Sequence, residues 1–181
     1  DTVDRLKGLG LDIGILTGDN RYVAEVIAKE LNIKTVLSEV LPGSKSNEIK
    51  KMQAKGLTVA MVGDGINDAP ALAQADLGIA VGSGADVAIE ASDITLMSND
   101  LRAVVDAIEL SNKTMAKVKQ NLFWAFFYNC LGIPIAAGML YPIFGILLSP
   151  VYAALAMTLS SVSVISNSLL LKKFTPKARI L

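Results

Sequence analysis

Two carboxylates and an amide crowd the string Met61-Val62-Gly63-Asp64-Gly65-Ile66-Asn67-Asp68-Ala69-Pro70-Ala71-Leu72, which follows an apolar run. Asp64, Asn67 and Asp68 are hard oxygen and amide groups of the kind that hold Mg2+ and the phosphate oxygens it carries. Gly63 and Gly65 let the backbone turn sharply there. Two other loops carry complementary chemistry. In Leu16-Thr17-Gly18-Asp19-Asn20, the Thr17 hydroxyl and the N–H groups around Gly18 and Asp19 stand where phosphate oxygens bind at a helix start. In Leu41-Pro42-Gly43-Ser44-Lys45, Lys45 offers a fixed positive charge to offset negative charge developing on a phosphoryl group. Each piece also has a plainer use: Thr17 and Asp19 as a turn and cap, Lys45 as a solvated helix residue, Asp64 and Asp68 as carboxylates at a helix start. Three such loops at ordered spacing favour phosphoryl chemistry.

The elements needed to position them are legible as alternating short apolar runs and amphipathic segments. Strands are expected at 13–16, 35–37, 58–62, 77–81 and 94–96, and helices at 20–31, 44–54, 67–75 and 85–90. This is the pattern of an α/β, Rossmann-like parallel sheet, in which ligands sit beyond the carboxyl ends of the strands. Asn99 and Asp100 are expected to cap a further helix bearing Leu101, Val104, Val105, Ile108 and Leu110 on its apolar side.

Charge then disappears. Residues 120–171 contain no Lys, Arg, Asp or Glu, and two stretches, 122–140 and 151–171, are each long enough to cross a bilayer. A buried hairpin in a large soluble core is the alternative. Lys113, Lys117, Lys119, Lys172 and Lys173 flank the outer ends of this pair, so both chain ends are expected on the cytoplasmic side. The expected organisation is an α/β domain over 1–110, a membrane-proximal helix over 111–121, two transmembrane helices over 122–171 and a cytoplasmic tail over 172–181. Tyr128, Asn129, Met157 and Ser161 are polar or soft groups at membrane depth. Such groups face either a pathway or a partner helix.

Composition excludes some classes. With 17 basic and 17 acidic residues, nothing points to nucleic acid. Cys130 is the single cysteine, so there is no disulfide framework, which fits a reducing compartment. The polar start, residues 1–7, has no signal-peptide pattern and reads as the interior of a domain.

The strings TGDN and GDGINDAPALAQADLGIAVGSGADVAIEASDITL, with the apolar pair after them, resemble the C-terminal part of heavy-metal P-type ATPases, whose phosphorylation domain is haloacid-dehalogenase-like. The resemblance implies that Thr17, with Gly18 and Asp19, contacts the transferred phosphoryl group and that Lys45 neutralises it. It further implies that Asp64 coordinates Mg2+ and that Asn67 and Asp68 complete the site. The strings NLFWAFFYN and MTLSS resemble the copper(I) signatures of the family, which makes Tyr128, Asn129, Met157 and Ser161 a copper(I) pathway, with silver as the other candidate ion. ATP is then bound mainly by a domain outside this chain, and the partners are membrane lipid and the N-terminal portion of the pump. The sequence departs from the family in having no Asp-Lys-Thr-Gly-Thr, the string that carries the phosphorylated aspartate. The chain alone is therefore expected to be inactive. The competing readings are a non-catalytic membrane module that regulates a full-length pump and a membrane-tethered phosphatase.

Overall fold

The computed structural model describes residues 2–64, 66–82, 86–145 and 149–175. The chain divides into two compact units, Asp1–Val105 and Asp106–Leu181.

The first unit opens with helix α1 (Thr2–Gly8) and then alternates strand and helix. Its elements are β1 (Gly14–Leu16), α2 (Arg21–Glu30), β2 (Thr35–Leu37), α3 (Pro42–Gln53), β3 (Ala60–Gly63), α4 (Ala69–Gln74), β4 (Leu77–Val81), α5 (Asp86–Glu90) and β5 (Ile94–Leu96). A short 3-10 turn, Ile66–Asp68, leads into α4. Helix α2 starts where Asn20 accepts a hydrogen bond from the Val23 N–H at 2.9 Å. It stops at Asn32, which takes a left-handed conformation with φ 52°. There the Lys7 ammonium donates to the carbonyls of Leu31 and Asn32, covering the negative end of the helix. Helix α3 begins with Pro42 in its first turn, where a missing N–H costs nothing.

All strand pairs are parallel, as the alternating pattern requires, but they form two sheets: β1-β2 and β3-β4-β5. One continuous sheet was the expectation. Among the described residues β1 pairs with β2 and β3 with β4, leaving one edge of β1 and one edge of β3 without a ladder partner. Strand β3 also begins two residues later than the apolar run suggests. The Val59 N–H donates to the Asp76 carboxylate at 2.8 Å, and the Asp76 N–H to the Val59 carbonyl at 2.9 Å, so a side chain takes the place of a ladder bond. Asp93 repeats the arrangement on Gly78, just before β5.

The core lies between α3, α4, α5 and β3, where Ile49, Met61, Ala71, Leu72 and Ala88 form one buried cluster. Gly78 permits this packing. A Cβ there would lie 2.7 Å from the Leu72 carbonyl oxygen, so only glycine lets β4 approach α4 so closely.

The second unit is helical. Helix α6 (Arg102–Ala136) has 35 residues, roughly 52 Å at 1.5 Å per residue, and it begins within the first unit. Its cap is Asp100 alone, which accepts from the Arg102 N–H at 2.9 Å. Pro134 lies inside the helix rather than ending it. The helix runs on to Ala136 and closes through Gly138, whose φ is 93°. Helix α7 (Tyr141–Phe144) and helix α8 (Pro150–Leu169) follow, and a 3-10 turn, Leu170–Lys173, extends α8.

The transmembrane hairpin expected over 122–171 is not evident from helix length and hydropathy. Among the described residues no helix is long and apolar enough to cross a membrane. Two physical reasons stand out: the apolar part of α6 is cut short at Ala136 and contains Tyr128, Asn129 and Pro134, while α8 carries Thr158, three serines between 160 and 163, and Asn167. No buried hydrophobic residue occurs beyond Val105 among the described residues. The tail beyond residue 175 lies outside the described residues, as do Gly65 and the Ser83-Gly84-Ala85 part of the glycine-rich loop.

Candidate functional site

Both sheets direct their carboxyl ends toward the residues singled out by chemistry. At the end of β1, Thr17 is half-buried, and its hydroxyl donates to the Asp19 carboxylate at 2.9 Å while accepting from the Asp19 N–H at 3.1 Å. The loop is tied to the end of β2 through Thr17 N–H to Leu37 carbonyl, Val40 N–H to Thr17 carbonyl and Glu39 N–H to Asp19 carbonyl. Gly18 and Asp19 are exposed beside it.

At the end of β3 the carboxylates separate into two roles. Asp68 turns back over the strand end, and its Oδ1 accepts from the Lys45 ammonium at 2.6 Å. Both side chains are largely buried, 12% and 14% exposed, so this contact is far less screened than a surface pair. Gly63 makes room for it: a Cβ there would sit 2.8 Å from Asp68 Cβ and 2.9 Å from Oδ2. Asp64 is exposed and makes no hydrogen bond or ion pair among the described residues. Asn67 is exposed on the turn between them.

Asp64 and Asp68 share a cleft of about 420 Å3 that runs across the ends of β3 and β4 and is also lined by Gly63, Val81, Asn99 and Leu101. Asn99 was read from sequence only as a helix cap, and its place in this wall went unnoticed. A somewhat larger hollow, about 490 Å3, lies beside β2 and α3. Arg21 and Glu25 on its rim are bound to each other at 2.6 Å, and none of the phosphate-handling residues lines it.

The donor set fits Mg2+. One uncommitted carboxylate stands beside a second whose charge Lys45 balances, and magnesium sites use one or two protein carboxylates with water and phosphate making up the rest. Among the described residues no group of three or more His, Cys, Asp or Glu side chains converges, so the site needs oxygen ligands from elsewhere.

Tyr128, Asn129, Met157 and Ser161, expected at membrane depth, are not drawn into one cluster by hydrogen bonds among the described residues. Asn129 donates to the Ala125 carbonyl at 3.0 Å, and Ser161 to the Met157 carbonyl at 3.3 Å, each within its own helix. Tyr128 stacks with Trp124, with ring centroids 5.9 Å apart, and Met157 is 71% exposed. The two helices meet instead through a polar cluster that sequence reading passed over. Lys117 donates to the Asn167 side-chain oxygen at 2.7 Å, Asn167 to Asn121 at 2.7 Å, and Asn121 to Ser168 at 2.9 Å.

The parallel α/β fold, with Thr17, Asp64 and Asp68 at its strand ends, is of the haloacid-dehalogenase-like class. Accordingly, the family model described as haloacid dehalogenase-like hydrolase matches residues 1–76. More narrowly, the chain belongs to the heavy-metal P-type ATPases. It is 62% identical over 177 residues, 98% of its length, to a probable copper-exporting P-type ATPase of Archaeoglobus fulgidus, and 55% identical over 172 residues, 95% of its length, to a silver exporting P-type ATPase of Salmonella typhimurium. It spans only 22% and 21% of those two proteins. The crystal structure of a zinc-transporting PIB-type ATPase in its E2.Pi state superposes with a TM-score of 0.79 at 37% identity, covering 94% of this chain and 27% of that one.

Proposed function

We propose that this chain is the part of a copper(I)-transporting P-type ATPase that holds the Mg2+ and phosphate site and contributes two membrane helices to the ion path. The observation that carries the reading is the cleft at the ends of β3 and β4, in which an uncommitted Asp64 stands beside an Asp68 neutralised by Lys45. When bound there, Mg2+ supplies charge neutralisation for a phosphoryl group. The chain's own residues supply the rest. Asp64 offers the metal-facing carboxylate, Lys45 and Asp68 form a preset ion pair at the rim, and the Thr17 hydroxyl stands at the end of β1 with its partner Asp19. Preset dipoles of this kind need little reorganisation as charge develops, which is where they gain their effect on rate.

The phosphorylated aspartate comes from outside these residues. In this reading a strand from the upstream part of the pump carries it and pairs with the open edges of β1 and β3, joining the two parallel sheets. ATP binds mainly in that upstream part, and the phosphorylation state biases the membrane helices between two arrangements.

Two features support membrane insertion of the second unit, and the lysines flanking its apolar stretches favour both ends on the cytoplasmic side. Its large apolar side chains face outward: Phe123, Phe126, Ile133, Leu159 and Ile165 are each at least 60% exposed. Its hydroxyls return to their own backbone, Thr158 to Ala154, Ser163 to Leu159 and Ser168 to Val164, so they are satisfied without water. The ion is copper(I), or silver by the same soft chemistry. Met157 supplies the soft donor, and Tyr128, Asn129 and Ser161 line the path in the assembled pump.

Reading the coding sequence upstream of Asp1 tests this directly. Asp-Lys-Thr-Gly-Thr and a Cys-Pro-Cys membrane segment are expected in frame. An upstream frame without the first string would overturn the reading.

A further inference from the structure

We infer that Asn99 is a phosphate-facing residue of the Asp64 cleft, held in place by Gly82; this rests on the reading of that cleft as a Mg2+ and phosphate site. The segment Ser98-Asn99-Asp100 divides its labour. Ser98 accepts from the Asp100 N–H at 3.1 Å, and Asp100 caps α6 while its carboxylate also binds the Arg102 guanidinium at 2.7 Å. The backbone on both sides of Asn99 is thereby fixed. Asn99 itself has no hydrogen bond among the described residues, and its side chain lies over the end of β4 and lines the cleft with Asp64 and Asp68.

Gly82 makes that position available. It is buried, its φ is 79°, and its N–H donates to the Leu96 carbonyl at 2.7 Å, tying the end of β4 to the end of β5. The Asn99 Oδ1 occupies the space that a Cβ on Gly82 would fill. Nδ2 is the farther terminal atom, 3.8 Å from that point, so the amide turns its acceptor onto Gly82 and leaves its donors for the cleft. A neutral donor is what this wall needs. The two carboxylates provide metal-binding oxygen but repel a phosphate, and an amide N–H binds a phosphate oxygen without adding charge.

The test uses the complete gene product in detergent, with Mn2+ as the metal probe, read by the electron paramagnetic signal of free Mn2+, and inorganic phosphate titrated onto the Mn2+-loaded protein. Asp64→Ala should abolish Mn2+ binding; if it does not, the reading of the cleft fails, independently of Asn99. Asn99→Ala should leave the Mn2+ affinity within about twofold and weaken phosphate binding about tenfold or more, as loss of one hydrogen bond to a charged acceptor does. Asn99→Asp, equal in shape but without donors, should weaken it at least as far. Gly82→Ala should reproduce the Asn99→Ala loss, and the double variant should lose no more than either single one. Circular dichroism and thermal unfolding verify folding, and Asn99→Ala, a change at an exposed side chain, stands as the primary variant if Gly82→Ala does not fold. Unchanged phosphate affinity in Asn99→Ala, an equal loss of Mn2+ affinity, or a wild-type chain that holds Mn2+ but no phosphate would each overturn the inference.

Discussion

Lys45 and Asp68 do their work as a pair. The ammonium and the carboxylate lie 2.6 Å apart and both side chains are largely buried. Lys45→Gln should leave a largely buried carboxylate short of its partner, destabilising the first unit by roughly 1–3 kcal/mol. It should also cut phosphoryl transfer in the assembled pump by about a hundredfold or more. Gly63→Ala should produce the same combination without touching a charge, because the new methyl would push Asp68 away from Lys45. Urea unfolding and phosphorylation rates measured on both variants check this. A Gly63→Ala variant with normal rates would show that the placement of Asp68 is not critical. The types and spacing of Asp64, Asp68 and Lys45 single these residues out in the sequence. The ion pair between Lys45 and Asp68 is not legible there, since it depends on the route of the chain from α3 to the end of β3. Asn99 escapes sequence reasoning for a related reason: beside Asp100 it looks like a cap, and its place in the cleft wall depends on packing over Gly82.

At the scale of elements, β3 and β4 are each pinned at their amino ends by a carboxylate, Asp76 and Asp93. The Asp76 carboxyl is held below the usual carboxylate range, first by the Val59 N–H and then by the Gln53 side chain. A carboxylate with a depressed native value contributes stability above its unfolded value, near 4, and loses that contribution as pH falls through the lower native value. Asp76→Ala should therefore lower the thermal midpoint at pH 7, and the gap from the wild type should close below about pH 4. A gap that does not narrow as the pH falls below about 4 would mean that Asp76 acts through packing. The runs at 35–37, 77–81 and 94–96 foretold their strands to the residue because short apolar and β-branched runs bounded by turn residues specify a strand. Strand β3 was misjudged at its start because a side chain replaces the ladder there, which periodicity cannot register. Helix α6 outlasts Pro134 because the Gly138 turn, two residues beyond its end, stops it. Close packing elsewhere is equally exacting: Leu72→Ala, at a residue 1% exposed, should cost about 2–5 kcal/mol.

For the whole molecule, the chain holds two kinds of surface that call for a surrounding it does not supply. Among the described residues, the first unit has two parallel sheets with open edges at β1 and β3, and no group of three or more His, Cys, Asp or Glu side chains converges in it. The second has outward apolar side chains and no buried core among the described residues. Neither property follows from composition. The sheet break depends on which strands become neighbours, and the membrane reading rests on back-bonded hydroxyls that hydropathy scores as polar. Both are accounted for if the chain is about a fifth of a membrane pump, the share of its relatives that it spans. The central claim is that the Asp64 cleft serves an aspartate phosphorylated elsewhere in that pump. The most direct measurement is formation of acid-stable phosphoenzyme from radiolabelled ATP in the complete gene product, with copper(I) and Mg2+ present. Phosphoenzyme should form in the wild type, fall to background in Asp64→Ala and require copper(I) in the forward direction. Wild-type levels of phosphoenzyme in Asp64→Ala would contradict the account.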